Sequence, residues 1–229
     1  SFGENKNNVT DKAIAFTRGM QKMGVMANAK HFPGHGDTAA DSHHTLPVIN
    51  FDATRLDTLE LYPYYKLFKE NLGSVMTAHL SIPKLEPNKK LPSSLSKRIT
   101  TGLLKEKMGF KGLIITDGLN MKGAADFATS KEINLEAILA GNDLLLIPHK
   151  VPATMEFFKK AIQDKKLSIE RLDESVRKIL KAKYWSGLQN YKPIDLNNLH
   201  EDLNTKEDEI LHRKLVKNSI NIKSPVSLI

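Results

Sequence analysis

The stretch KGLIITD, residues 111–117, is a short apolar run that ends on a carboxylate. A short apolar run bounded by turn residues is typical of a buried β-strand. Three further runs, at residues 25–32, 74–79 and 143–147, have the same character. The sequence therefore predicts four strands.

Segments with helical periodicity lie before, between and after these strands. In the first, Ala13, Phe16 and Met20 fall on one stripe between the possible cap Thr10 and Gly24. Strands that alternate with helices favour a parallel α/β sheet covered on both faces, with right-handed crossovers. The regions predicted to be helical are residues 11–24, 53–71 with a break at Pro63, 96–108, 131–140, 153–164, 168–184 and a last helix from about Thr205.

Polar or reactive residues stand where each predicted strand ends, and two architectures fit this pattern. Both an open doubly wound sheet and a (β/α) barrel bind ligands at the carboxyl ends of their strands. Contributions from four successive strands fit the mouth of a barrel better than a single crevice, so the barrel is favoured and the doubly wound sheet stays the alternative. The strand-end residues are Lys30 and His31, His79, Asp117, and Pro148 and His149.

The amino-acid composition excludes several kinds of site and partner. The 229 residues include 34 Lys plus Arg against 26 Asp plus Glu, a formal charge of +8, and no cysteine. The lack of cysteine excludes disulfide scaffolds, iron–sulfur clusters and thiol catalysis. Because the basic residues are scattered and aromatics make up 7% of the chain, we expect no nucleic-acid partner. The longest apolar run, residues 144–148, is far too short for a bilayer, so no membrane span is expected.

Histidines are concentrated in a loop that follows the first strand. No established zinc spacing is matched there, so the sequence predicts neither a metal nor a cofactor. The segment Asp41-Ser42-His43 has a simpler reading, because residues two apart in an extended segment project the same way and the carboxylate can orient the imidazole. Such a dyad is suited to proton transfer near neutral pH. The clustered residues are His31, His35, His43, His44, Asp37 and Asp41.

Asp117 ends its strand and precedes Gly118. One interpretation is a turn or helix-capping aspartate. The other is a carboxylate nucleophile facing a separate proton donor, which is the arrangement that retaining glycoside hydrolysis requires.

Three segments together resemble glycoside hydrolase family 3, and more narrowly its β-N-acetylglucosaminidase branch. They are KHFPGHGDTAADSHHTLP at residues 30–47, MTAHL at 76–80 and ITDGLNM at 115–121. The resemblance implies a (β/α)8 barrel, of the TIM-barrel type, and a retaining hydrolysis without metal or cofactor. It implies a carbohydrate substrate with terminal β-linked N-acetylglucosamine, from cell-wall or chitin-type glycans.

The resemblance also implies roles for individual residues. Asp117 matches the nucleophile, and His43, paired with Asp41, matches the general acid/base. Gly118 stands where many members of the family carry a second aspartate. The residues that it implies for substrate binding are Lys30, His31 and His79.

The extent of the resemblance predicts how the chain is organised. Four strands against the eight of a barrel predict that residues 1–185 form its C-terminal half, strands 5–8, with the N-terminal half-barrel as a missing partner. Residues 186–229 resemble a linker and the truncated start of a second, α/β-sandwich domain. A β-glucosidase or other family 3 specificity, and an inactive half-barrel fragment, stay open. A cell-envelope location is weakly favoured over a cytoplasmic one.

Overall fold

The protein, seen in a computed structural model, divides into two compact units, residues 1–189 and 190–229, which are described separately. The described residues are 2–36, 38, 42 and 44–220. The assignment of residues 186–229 to a second domain stays a prediction.

The first unit alternates strands with helices, as the sequence predicts. Its strands are β1 (Asn28–Phe32), β2 (Ser74–Thr77), β3 (Leu113–Gly118) and β4 (Leu144–Leu146). Its α-helices are α1 (Lys6–Lys22), α2 (Ala53–Arg55), α3 (Tyr62–Lys69), α4 (Lys122–Ala125), α5 (Ser130–Ala140), α6 (Val151–Gln163) and α7 (Ile169–Trp185). Two segments are π-helical, Leu56–Glu60 and Arg98–Lys107, and two are 3₁₀-helical, Ser93–Leu95 and Leu188–Asn190.

Two helix predictions need correction. The first helix begins at Lys6 because the Asn5 side chain accepts hydrogen bonds from the backbone N–H groups of Asn7 and Asn8, whereas the proposed cap Thr10 lies inside the helix. The region predicted as one α-helix over 96–108 is π-helical from Arg98 to Lys107. π-Helical turns are rare and mostly occur as single turns inside α-helices, so a helical pattern in sequence predicts the common α-helix.

The four strands are parallel and lie in chain order, β1-β2-β3-β4. A doubly wound sheet reverses its strand order at a switch point, whereas consecutive order with right-handed crossovers places the helices on one face, as in a barrel. The order therefore favours the barrel interpretation over the open sheet.

The two faces of the sheet differ in burial. Val75 and Ile114 are paired across β2 and β3 and are fully buried in the core cluster that the helices form with the sheet. Their neighbours Met76 and Ile115 are also paired, point to the other face and are only half-buried. The expectation of a sheet covered on both faces is thus wrong for the described part of the chain.

The amino end of the sheet is tied to α7 through a buried carboxylate. Asp143, directly before β4, accepts hydrogen bonds from the Ile114 N–H at 3.0 Å, from Ser175 Oγ at 2.7 Å and from Lys178 Nζ at 3.1 Å. Arg171 Nη1 lies 3.9 Å from the same carboxylate. The Asp143 side chain has no exposed surface, so this network fixes where β3, β4 and α7 meet.

The second unit contains α8 (Leu199–Asp202) and α9 (Lys206–Ser219). Thr205 caps α9 in a reciprocal pair with Asp208, which agrees with the helix start predicted at Thr205. None of the helices in the described part of the chain is both long and apolar enough to cross a bilayer.

Candidate active site

Asp117 lies at the carboxyl end of β3, on the half-buried face of the sheet. It follows Ile115 at the two-residue spacing that returns to the same face. Its Oδ1 accepts a hydrogen bond from the Gly118 N–H at 2.8 Å, and 16% of the side chain is exposed. One carboxylate oxygen is thus held by backbone, while the other faces the ring of His31.

His31, near the end of β1, brings its ring to that second oxygen. Its Nε2 lies 3.6 Å from Asp117 Oδ2, longer than an ordinary hydrogen bond. Burial lowers the pKa of His31; the Asp117 carboxylate opposes this shift, while Lys30, His35 and His79 add to it. The ring is therefore neutral at neutral pH and can offer one N–H to a ligand.

His35 extends the imidazole cluster into the loop after β1. Its ring packs edge-on against His31 with centroids 5.9 Å apart. Its Nδ1 lies 2.7 Å from Thr38 Oγ1, and its Nε2 lies 3.2 Å from Ser42 Oγ. The loop is therefore linked to the site through His35.

Ser42, which lies between the two residues of the predicted dyad, and Thr45 pack against α4. The carbonyl of Ser42, which is itself buried, accepts a hydrogen bond from the Gly123 N–H at 3.2 Å. A methyl group at Gly123 would lie 3.0 Å from His79 Cβ and 3.1 Å from the carbonyl oxygens of Ser42 and Thr45. A side chain at this position would crowd its neighbours, so the glycine lets the loop pack closely against the segment that follows β2.

His79, two residues beyond β2, is buried beside Asp117. Its Nδ1 lies 2.7 Å from Ser94 Oγ, and its Nε2 lies 3.0 Å from the Gly118 carbonyl oxygen. Burial lowers its pKa although the Gly118 carbonyl and the Asp117 carboxylate favour the charged form. Both ring nitrogens thus contact protein groups; the predicted contact between His79 and the sugar stays a prediction.

The remaining predicted residues differ in what the structure describes. Lys30 lies in β1 with an exposed side chain, and the Lys30–His31 and Phe32–Pro33 peptide bonds are both cis. Asp41 and His43, the predicted acid/base pair, lie outside the described residues. Across the residues that the structure describes, no group of three or more His, Asp or Glu side chains is arranged to hold a metal ion.

A cavity of about 600 Å³ opens along β1, between α1 and α3. Its polar end is formed by Lys30, His31 and His35, and the rest is mainly apolar, with Phe16 and Met20 of α1 among its walls. Lys30 and His31, two of the three predicted sugar-binding residues, therefore lie at one end of a cavity whose remainder is an apolar groove beside the outer strand.

Two residues of the site escaped prediction. Ser94 reaches His79 from 15 positions away, and Ser42 reaches His35 from seven. The serines of residues 91–97, LPSSLSK, show no periodicity that would mark them as buried. All three, Ser93, Ser94 and Ser96, are nevertheless fully buried. A run of serines after a proline would indicate buried partners of the site only if the strand order were already known.

Known proteins share both the sequence and the fold. β-Hexosaminidase A of Pseudoalteromonas piscicida is 33% identical over 202 residues, covering 80% of this chain and 34% of that protein. A family 3 β-N-acetylglucosaminidase from Paenibacillus sp. str. FPU-7 superposes with a TM-score of 0.89 at 35% identity, over 96% of this chain and 42% of that one. A β-glucoside phosphorylase, BglX, superposes with a TM-score of 0.90 at 26% identity, over 100% of this chain and 43% of that one.

The chain thus spans less than half the length of these relatives. Its parallel α/β fold matches part of a family 3 barrel domain. Residues 1–182 match the glycosyl hydrolase family 3 N terminal domain, and the chain therefore belongs to glycosyl hydrolase family 3.

Proposed function

We propose that this chain carries the nucleophile and the general acid/base of a retaining glycoside hydrolase. The enzyme would remove terminal β-linked N-acetylglucosamine from cell-wall or chitin-type glycans. The observation that carries the proposal is the Asp117 carboxylate at a strand end, with Oδ1 held by backbone and Oδ2 beside the neutral ring of His31. The names of the β-hexosaminidase relatives support the choice of N-acetylglucosamine.

In the first step Asp117 Oδ2 attacks the anomeric carbon. A bond forms between the carboxylate and that carbon, the bond to the leaving oxygen breaks, and His43 gives its proton to that oxygen. In the second step water attacks the same carbon, His43 takes its proton, and the ester to Asp117 breaks. Two displacements leave the product sugar with its original β configuration.

The other residues proposed to take part in this reaction have different roles, which depend on their charge. Asp41 would stabilise the protonated His43, because a neighbouring carboxylate raises an imidazole pKa and keeps it able to donate near neutral pH. His31 and Lys30 would hydrogen-bond the sugar hydroxyls. A neutral His31 suits this role, because it adds no positive charge that would pair with Asp117 and weaken the nucleophile.

We propose further that the four strands are strands 5–8 of a (β/α)8 barrel, completed by an N-terminal half-barrel. Among the described strands, β1 and β4 have one unpaired edge each. The face that carries Met76 and Ile115 is half-exposed, as a barrel interior would be without its opposite wall. The apolar cavity between β1 and α1 is a suitable place for a neighbouring strand.

The test is an assay of the natural full-length protein on an aryl β-N-acetylglucosaminide. Proton NMR of the first product should show the β anomer, and Asp117→Ala should lower kcat by at least about 10³-fold because the nucleophile is gone. Asp126→Ala, at the end of α4, is the matched loss of a nearby carboxylate and should retain turnover. An α anomer as first product, or wild-type turnover in Asp117→Ala, would refute the proposal.

A second candidate follows from the superposition on a β-glucoside phosphorylase. The same covalent intermediate could accept phosphate in place of water, and the sugar could be glucose. Aryl glucoside and aryl N-acetylglucosaminide assayed side by side, each with and without inorganic phosphate, separate the four cases. A glucoside preference, or formation of a sugar 1-phosphate, would replace the first candidate.

The open sheet edges also give a proposal for the isolated chain. We expect residues 1–229 alone to be inactive and to regain turnover when co-expressed with the N-terminal half-barrel, because the site lacks its opposite wall. Full turnover by the isolated chain at a mass of one copy would contradict the half-barrel proposal, and would leave the assignment of Asp117 intact.

A further inference from the structure

Buried hydrogen bonds connect Ser94 through His79 to Gly118, whose own N–H holds the Asp117 carboxylate. Ser94 Oγ lies 2.7 Å from His79 Nδ1, and His79 Nε2 lies 3.0 Å from the Gly118 carbonyl oxygen. The Gly118 N–H in turn donates to Asp117 Oδ1 at 2.8 Å. His79 has no exposed surface, and its hydrogen bond to Gly118 links it to the residue whose N–H holds the carboxylate.

The chemistry of the partners fixes the tautomer of His79. A carbonyl oxygen can only accept, so the proton must sit on Nε2. In a neutral ring Nδ1 is then an acceptor, and the Ser94 hydroxyl donates to it. Burial lowers the pKa of His79, which agrees with a neutral ring. Ser94 is itself held, because its N–H donates to the Ala78 carbonyl at 3.0 Å.

The hydrogen bonds of His79 and Asp117 meet at Gly118, the residue of the strand end that has no side chain. Glycine has the widest backbone freedom, and the Gly118 N–H is the group that holds Asp117 Oδ1. A hydrogen bond to the Gly118 carbonyl limits rotation of that residue. The second oxygen of Asp117 is then kept in its position beside His31. A misplacement of a reacting atom by about 1 Å costs about 100-fold in rate.

We propose that His79 is a positioning residue, which aligns Asp117 for attack through the Gly118 carbonyl and contributes little to substrate affinity. The inference rests on the proposed role of Asp117 as nucleophile. It differs from a structural role in its kinetic signature: alignment of the nucleophile changes kcat, whereas the residues proposed to bind the sugar, Lys30 and His31, are untouched and KM stays the same.

The experiment compares three variants of the full-length protein. His79→Leu keeps the volume but removes the donor, and should lower kcat about 100-fold with KM within about threefold of wild type. His79→Gln restores an N–H near the position of Nε2 and should recover at least about tenfold of that loss. Ser96→Ala is the control: Ser96 is an equally buried serine of the same segment, but it bonds Glu86 at 2.7 Å, and kcat should stay within about twofold.

A second measurement does not depend on activity or on any variant folding. The ¹⁵N chemical shifts of His79 in the wild-type protein should report a neutral ring with its proton on Nε2. A proton on Nδ1 would overturn the inference, and so would wild-type kcat in His79→Leu at an unchanged Tm. If wild type failed on every aryl sugar, the proposed function would fall, and the ¹⁵N spectrum would still decide whether His79 holds the Gly118 carbonyl.

Discussion

The sheet carries a half-buried or buried aspartate at each end, and the two are held in opposite ways. At the amino end Asp143 is fully buried and is bonded by a backbone N–H, a serine and a lysine, with an arginine close by. At the carboxyl end Asp117 is 16% exposed, accepts a backbone hydrogen bond on one oxygen and presents the other to a neutral imidazole. The first is saturated with donors, whereas the second keeps an oxygen available.

With the role proposed for Asp117, this difference would separate stability from chemistry within one sheet. A buried carboxylate is tolerated when its lone pairs are satisfied, and removing it leaves its cationic partners unpaired. A nucleophile must instead retain an oxygen that no strong donor occupies. Parallel α/β barrels place function at the carboxyl ends of their strands and stability at the amino ends. The roles proposed for the two aspartates of this chain follow that division.

The largest expected effect is on activity at the carboxyl end. Asp117→Asn keeps the shape and removes the charge, so kcat of the full-length protein should fall by about 10³-fold or more. The free energy of unfolding should change by less than about 1 kcal/mol, because the carboxylate is partly solvated. Steady-state kinetics and urea unfolding of the same preparation measure both. A stability loss without a loss of kcat would reverse the roles of the two ends.

Asp143→Asn should show the opposite pattern. Lys178 and Arg171, which are about one-fifth exposed, would lose their buried counter-charge, so the free energy of unfolding should fall by about 3 kcal/mol. Below the unfolding transition, kcat should stay within about threefold of wild type. Urea denaturation gives the first value, and an assay at low temperature gives the second. An unchanged urea midpoint would show that the buried network contributes nothing to stability.

A smaller effect is expected where the loop packs on α4. Gly123→Ala places a methyl group 3.0 Å from His79 Cβ and 3.1 Å from the Ser42 carbonyl, so the loop must move by a few tenths of an ångström. We expect about a tenfold loss of kcat/KM and a stability loss of about 1–2 kcal/mol. Gly19→Ala in α1, where the new methyl group meets nothing within 4 Å, is the matched control and should slightly stabilise the helix. Equal effects of the two substitutions would exclude a special role for Gly123.

The smallest effect is a dependence of stability on pH at the carboxyl end. Burial lowers the pKa of both His31 and His79 from the usual 6.5. The unfolded chain therefore binds protons first as pH falls below about 6.5, and stability decreases until the folded rings also protonate. Urea unfolding at a series of pH values should show this decline, and His79→Gln should reduce its slope. A slope unchanged in His79→Gln would mean that His79 titrates normally.

The contacts at the carboxyl end of the sheet could be predicted from the sequence better than those at the amino end. Asp117 was predicted at a strand end because an apolar run stops on it, and its closeness to His31 follows from the meeting of parallel strands at one edge. The bond between Asp143 and Ser175 spans 32 residues, and only the docking of α7 on the sheet creates it. The His79–Ser94 contact is likewise set by an irregular segment.

The expectation that both faces of the sheet are covered by helices is wrong for a physical reason. Strand hydrophobicity reports burial but not what supplies it, and a barrel interior and a layer of helices demand similar side chains. The consecutive strand order resolved this ambiguity, and pairing is not visible in local periodicity. The predicted dyad of Asp41 and His43 lies outside the described residues and stays a prediction from the resemblance.

The central claim is that Asp117 forms a covalent bond with the sugar, and trapping that bond tests it most directly. The full-length protein would be incubated with a 5-fluoro N-acetylglucosaminyl fluoride. Its ring fluorine slows both attachment and release of the sugar, whereas its good leaving group speeds attachment, so the covalent adduct accumulates. We predict an intact mass increased by one fluorosugar and, after digestion, the modification on Asp117. Labelling of another carboxylate, or turnover of the natural linkage with no adduct at Asp117, would contradict the claim.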